Sequence, residues 1–195
     1  AAGWYTNTDA SALGADLGGN NITAVAAIGS AASVNYALWY ASISENDLGT
    51  NNATLAGTTA GASAINLNVS AKVGPVSVAL NHAEVDFSSN AAAINDTTTK
   101  QTRLVVSGQA GPATVTVGYV ATGKDGGDVS FDGDTDGKLL FALEGAADTT
   151  AADVSAVVVG ASAPVGPVTV GIDYLDGDTA GTNFDETKVS LGYKM

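Results

Sequence analysis

Asp132-Gly133-Asp134-Thr135-Asp136-Gly137 is the stretch of this chain whose residue types come nearest to a known chemistry. Carboxylates at alternating positions with glycine at the sixth form the first half of a calcium loop, where oxygens converge on a hard cation and the chain then turns sharply. The far end departs from that pattern, because Leu143 stands where the bidentate carboxylate belongs and Glu144 arrives one residue late. Asp132, Asp134 and Asp136 are therefore weak candidates for calcium, the one cofactor the sequence admits. The half-motif favours a solvated acidic loop over an ordered ion. Asp176-Gly177-Asp178, near Asp185 and Glu186, reads as a second acidic loop. His82 is the only histidine, and Glu84 two residues on shares its face of a strand. Without a nucleophile set against them the pair makes no catalytic site. Cysteine is absent, which removes thiolate catalysis and Cys-ligated zinc. No glycine-rich strand-to-helix phosphate loop occurs either. No residue is assigned as catalytic, and the expectation is a protein that is not an enzyme.

The elements that would position these residues are strands. Three Gly-Pro corners recur between alternating segments: Val73-Gly74-Pro75-Val76, Ala110-Gly111-Pro112-Ala113 and Val165-Gly166-Pro167-Val168. Proline has no N–H to offer a ladder and glycine tolerates the positive backbone angle of a tight turn, so each corner reads as a hairpin. A fourth hairpin turns at Gly29-Ser30-Ala31-Ala32-Ser33. Period two is clearest where Ile65, Leu67, Val69, Ala71 and Val73 alternate with Asn66, Asn68, Ser70 and Lys72. The pattern predicts strands over 22–29, 34–44, 63–73, 76–86, 101–110, 113–122, 154–164, 168–175 and 187–195, with weaker ones at 3–7 and 138–146. Most approach the roughly 9 to 11 residues that a tilted strand needs to cross a bilayer.

Between hairpins lie long Gly, Asp, Asn and Thr-rich stretches. Short turns at one end and long loops at the other describe an all-β, antiparallel transmembrane β-barrel, with the Gly-Pro corners on the periplasmic side. Tyr40, Phe87, Tyr119 and Tyr174 all lie near the start of a long loop, where an interfacial aromatic girdle belongs. No composition shift divides residues 1–195, which read as a single barrel domain or part of a larger barrel. No apolar run is long and uninterrupted enough for a transmembrane helix. The net charge of -13 repels phosphate backbones and argues against nucleic acid.

If the polar strand face lines a lumen, the charges on it set ion preference. Lys72, Arg103, Lys188 and Lys194 are the basic candidates, opposed by Glu84 and Asp173. In a soluble protein the same positions would simply face water.

The segments Lys72-Val73-Gly74-Pro75-Val76, Ala121-Thr122-Gly123-Lys124-Asp125-Gly126-Gly127-Asp128-Val129 and Ala163-Pro164-Val165-Gly166-Pro167-Val168-Thr169 resemble the major outer-membrane porins of the epsilonproteobacteria, of the Campylobacter type. The similarity is clearest from about residue 60 onward. It implies a homotrimeric, water-filled barrel of about sixteen to eighteen strands in the outer membrane. Lipid would surround it, and ions and small hydrophilic solutes would diffuse through it. Such porins are longer than this chain and usually finish on a strand ending in Phe, whereas here the sequence reads Gly192-Tyr193-Lys194-Met195. The expectation is a C-terminal-half fragment lacking the last strands. Two other readings stay open: a soluble or cell-surface β-sandwich with calcium-binding acidic loops, and a small, non-conducting barrel.

Overall fold

The computed structural model describes residues 2–7, 22–43, 60–89, 97–127 and 152–193. They form one antiparallel sheet of ten strands in sequence order: β1 (Ala2–Asn7), β2 (Ile22–Ala31), β3 (Val34–Ile43), β4 (Ala60–Val73), β5 (Val76–Ser89), β6 (Thr97–Ala110), β7 (Ala113–Thr122), β8 (Val154–Val165), β9 (Val168–Thr179) and β10 (Thr182–Tyr193). Each strand pairs with its sequence neighbours, so the sheet is a pure meander. Among the described residues β1 and β10 each pair on one side only. The expected strand at 138–146 lies outside the described residues.

The three Gly-Pro corners are two-residue hairpin turns. Gly74, Gly111 and Gly166 have φ of 59°, 63° and 61°. Proline cannot follow at positive φ, which excludes the turn that needs two such residues and leaves the type II′ geometry with glycine first. Ala32 takes the same position in the β2–β3 turn, with φ of 52°.

Register then fixes the tilt. One row perpendicular to the strands runs through Ala31, Val34, Ala71, Val78, Val106, Val117, Val159, Tyr174 and Thr187. The tight turn follows Ala31 at once, but comes progressively later past this row at Val73, Ala110 and Val165. Every hairpin therefore slips by two residues, or one per strand. A constant slip of this kind is the stagger that tilted strands require to close into a barrel.

The two faces differ sharply. Among the described residues, every exposed large apolar side chain except Ile28, Trp39 and Phe87 stands on one face. The other face carries mostly small and polar side chains, and along β7, β8 and β9 it is the covered one. Along β8, Val154, Ala156, Val158 and Gly160 are buried while Ser155, Val157, Val159 and Ala161 are exposed. In a single sheet such asymmetry follows from curvature: side chains converge on the inside and splay on the outside. The apolar face is thus the outer one, the reverse of a water-soluble sheet. On β4 the outward apolar residues run from Ile65 to Val73, about 26 Å of strand, or about 20 Å along the barrel axis at a tilt of about 40°. That approaches the height of the apolar band of an outer-membrane barrel, about 25 Å.

One expectation fails at the loop end. β9 and β10 do not part into an acidic loop but continue to a two-residue turn at Ala180-Gly181, with φ of 49° and 83°. Asp176, Asp178, Asp185 and Glu186 are strand residues, and Asp178 Oδ1 accepts the Gly181 N–H at 3.0 Å to close the turn.

A β-carbon at Gly74, Gly111 or Gly166 would meet nothing within 4 Å, so backbone conformation alone sets the effect of substitution there. Gly166→Ala is expected to lower unfolding stability by about 1 to 2 kcal/mol, the penalty of the left-handed region. Ala32→Gly should raise it by a smaller amount. Urea unfolding of the refolded protein in lipid vesicles measures both, and equal effects of the same sign would refute the turn assignment.

Candidate pore wall

The inward face carries an amide network across β4 and β5, with Arg103 of β6 opposite its end. Asn68 lies opposite Asn81, and Asn81 opposite Arg103. Asn81 Nδ2 donates to Asn68 Oδ1 at 2.6 Å, and Asn68 Nδ2 donates to Asn66 Oδ1 at the same distance. Towards the tight turns the same face continues with paired Ser77 and Ser107 hydroxyls at 2.7 Å, and with Gln109 Nε2 donating to Thr114 Oγ1 at 2.8 Å. Lys72 lies opposite Ser77. Further round the sheet, Asp173 lies opposite Lys188, and its carboxylate rests over Gly160 in the space a side chain there would fill.

Lys72, Arg103, Lys188 and Asp173 therefore share the inward face, although they are spread from β4 to β10 rather than gathered at one point. Glu84 does not join them. Even-numbered positions of β5 carry Val76, Val78 and Leu80 outward, and Glu84 follows in the same phase. It faces out opposite Lys100, beside His82, whose Nε2 is 3.9 Å from Glu84 Oε2 and whose Nδ1 is 2.8 Å from Thr102 Oγ1. Asp86 Oδ1 accepts the Thr98 hydroxyl at 2.6 Å just beyond. This polar group stands above the apolar band, which is why an outward carboxylate is tolerated. Lys194, Asp132, Asp134 and Asp136 lie outside the described residues. Among the described residues no three metal-ligating side chains cluster.

Phase also sorts the aromatics. Tyr40, Tyr119 and Tyr174 stand at one level on the outer face, each at the same step after the residue that leaves its tight turn, Val34, Ala113 or Val168. His82 stands at the matching step after Val76. Phe87 was expected among them but faces inward, opposite Ala62 and Thr97. The three tyrosines remain as a girdle, with Glu84, Asp176 and Thr187 above it.

Part of the inward face is apolar, which the reading of that face as polar missed. Val120, Ala156, Val158 and Leu175 form a buried cluster there with Phe184 against it. Gly177 makes room for that ring, since a β-carbon at this position would collide with Phe184 and Ala156. The signal was available in the alternation of Val154, Ala156 and Val158, which are apolar in phase with the polar positions of neighbouring strands.

A curved, staggered meander with its apolar face outward, a tyrosine ring at one level and amides and charges inside is the wall of an outer-membrane β-barrel. The comparisons agree. A family model described as Gram-negative porin matches residues 3–194, and the chain belongs to that family. Its place is the outer membrane. Two solved structures of OpdK from Pseudomonas aeruginosa share the fold. The first, with vanillate, has 17% identity and a TM-score of 0.51. The second, an improved crystal structure of the protein as OccK1 (OpdK), has 17% identity and a TM-score of 0.50. Each match covers 89% of this chain and 46% of the other, so the chain spans about half the length of those proteins. No curated protein matches the sequence.

Because the chain contains no cysteine, single thiols can report the two faces without background. Ser70→Cys on the inner face should react with a charged, membrane-impermeant thiosulfonate in vesicles. Leu191→Cys on the outer face should be protected and react instead with a lipid-soluble maleimide. Equal labelling of both by the charged reagent would contradict the assignment of faces.

Proposed function

We propose that the protein is a general-diffusion porin, or contributes about half the wall of one, through which ions and small hydrophilic solutes pass without coupling to energy. The observation that carries the reading is the inversion of the sheet, with valine, leucine and tyrosine outward and asparagine, serine, threonine and a few charges inward. A soluble sandwich would cover that apolar face with a second sheet, and the described residues form only one. Passage then depends on an aqueous lumen whose wall charges act by their field rather than by contact chemistry. Lys72, Arg103 and Lys188 would attract anions at the wall, with Asp173 opposing them.

Three finer features belong to the same proposal. The resemblance of residues 121–129 and 163–169 to epsilonproteobacterial porins supports that branch of the family and, with it, a homotrimer. Calcium at Asp132, Asp134 and Asp136 rests on the half-motif alone. The outward apolar band supports contact with outer-membrane lipid.

Planar-bilayer recording tests the channel: discrete conductance steps in KCl are expected from the detergent-extracted protein, and their absence would overturn the reading. Under a KCl gradient, Arg103→Glu should move the reversal potential towards cation selectivity, because it replaces an inward positive charge by a negative one. A reversal potential unmoved by this substitution would remove Arg103 from the conducting path.

A further inference from the structure

Trp39 is out of character with the inward face on which it stands. Its neighbours there are small or polar, yet the ring is 42% exposed, although an indole has much apolar area to bury. Those neighbours explain the exposure. Ala26 lies opposite it on β2, Asn66 opposite it on β4, and Ala37 and Ala41 precede and follow it on the same face of β3. Side chains of that size cannot cover both faces of an indole, so the ring is presented to the lumen. A single exposed aromatic is ordinary on a protein surface. Here two further features converge on it.

The first is an open groove of about 710 Å³, which begins at Ala37, the next inward residue of β3, and runs towards the tight turns past Asn68, Ser70 and Asn35. The second is polar capacity left over from the amide network. Asn68 is the diagonal neighbour of Trp39 across the β3–β4 ladder, about 7 to 8 Å away between backbones. It gives one N–H to Asn66 Oδ1 and accepts one from Asn81 Nδ2. A primary amide has two N–H groups and two lone pairs, so the exposed Asn68 keeps one of each for the lumen. Asn35 and Ser70, directly opposed and both exposed, continue that polar edge.

A flat apolar face beside a row of amides and hydroxyls matches a molecule built the same way. A β-linked glucopyranose carries its hydroxyls at the rim and its axial C–H groups on the faces of the ring. Those hydrogens are positively polarised and pack on the negative face of an aromatic. The rim hydroxyls both donate and accept, as Asn68 does. A flexible polyol has the hydroxyls but no face. An organic cation suits the indole, yet Arg103 lines the groove and no carboxylate does. Asn35 lies four residues from Trp39, about 13 Å along the strand, a distance that two linked sugar rings span and one does not.

We infer that Trp39 and the groove below it form a wall subsite for neutral β-linked disaccharides, with one ring stacked on the indole and the second among Asn68, Ser70 and Asn35. The inference rests on the channel reading for its consequence alone, which is a transient hold on such solutes as they pass.

Tryptophan occurs only at positions 4 and 39, so Trp4→Phe leaves Trp39 as the sole indole and its fluorescence as a direct report on the site. In that variant, solubilised in detergent, cellobiose should shift the emission with a half-saturation at least about tenfold below that of sorbitol, and tetramethylammonium should leave it unmoved. Adding Asn68→Ala should raise the cellobiose value about fivefold, the effect of a lost neutral hydrogen bond. An unmoved value there would overturn the place of the second ring. In planar-bilayer recordings at constant KCl, cellobiose should interrupt the current. Trp39→Ala should abolish the interruptions in a channel that still conducts, and Trp39→Phe, which keeps a smaller ring and guards against misfolding, should retain part of them. Interruptions that survive Trp39→Ala unchanged, equal half-saturation for cellobiose and sorbitol, or a shift by tetramethylammonium as large as by cellobiose would each overturn the subsite and leave the channel standing. A cellobiose shift in a protein that never conducts would uphold the subsite and remove the channel.

Discussion

Backbone hydrogen bonding in a solvent that offers none is the constraint from which the rest of this structure follows. Within the hydrocarbon of a bilayer an unpaired N–H or C=O is costly, so a β chain must pair every strand on both sides. A meander in which each strand lies beside its sequence neighbours meets this locally, and β2 through β9 are paired on both sides. Turns must then fall outside the hydrocarbon, which places them at the ends of the strands. Proline after a left-handed glycine serves there because the ladder needs no donor at that position. The recurring corner at residues 74–75, 111–112 and 166–167 is thus a consequence of ladder closure, and the slip of one residue per strand is the geometric companion of tilt.

Curvature then decides what the inner face accepts. Side chains on the inside of a curved sheet converge, and three of them lie over glycine: Asp173 over Gly160, Ser190 over Gly171 and Phe184 over Gly177. Bringing a carboxylate down against the wall in this way leaves lumen volume free while keeping its charge in the path. The same crowding explains how Val120, Val158 and Leu175 come to be buried on a face that elsewhere carries amides. Polarity inside the wall is therefore zoned by strand, with amides and Arg103 on β4 to β6 and the apolar cluster on β7 to β9.

Much of this was legible in the sequence, because period two and turn chemistry are local. The strands from Ile22 to Val168, the three corners and the faces of β3, β4 and β7 follow from them directly. What failed did so where composition was allowed to overrule phase. Glu84 looked like a wet-face residue because it is charged, yet counting by twos from Val76 puts it outward, and the same count puts Phe87 inward. Asp176-Gly177-Asp178 looked like a loop because Asp and Gly are turn formers. Above the tyrosine level, however, both faces of a strand meet water or polar headgroups, so the ladder continues to Ala180-Gly181 with nothing apolar to bury. The inner apolar cluster was hidden for a further reason: its members come from four strands, and only register brings them together.

Phase also changes what the net charge means. The chain as a whole carries -13, which taken alone would suggest a channel that favours cations. Among the described strand residues, though, the outward face above the girdle holds Glu84, Asp86, Asp176, Asp178 and Asp185 against Lys100, whereas the inward face holds Lys72, Arg103 and Lys188 against Asp173 and Glu186. The sign reverses from one side of a single sheet to the other. Potential in a narrow aqueous path is dominated by the groups that face it, since charges beyond the wall act through lipid headgroups and screening salt. Among the described strand residues the acidic excess is therefore a property of the outward face, and ion preference must be argued from the few inward side chains that alternation selects.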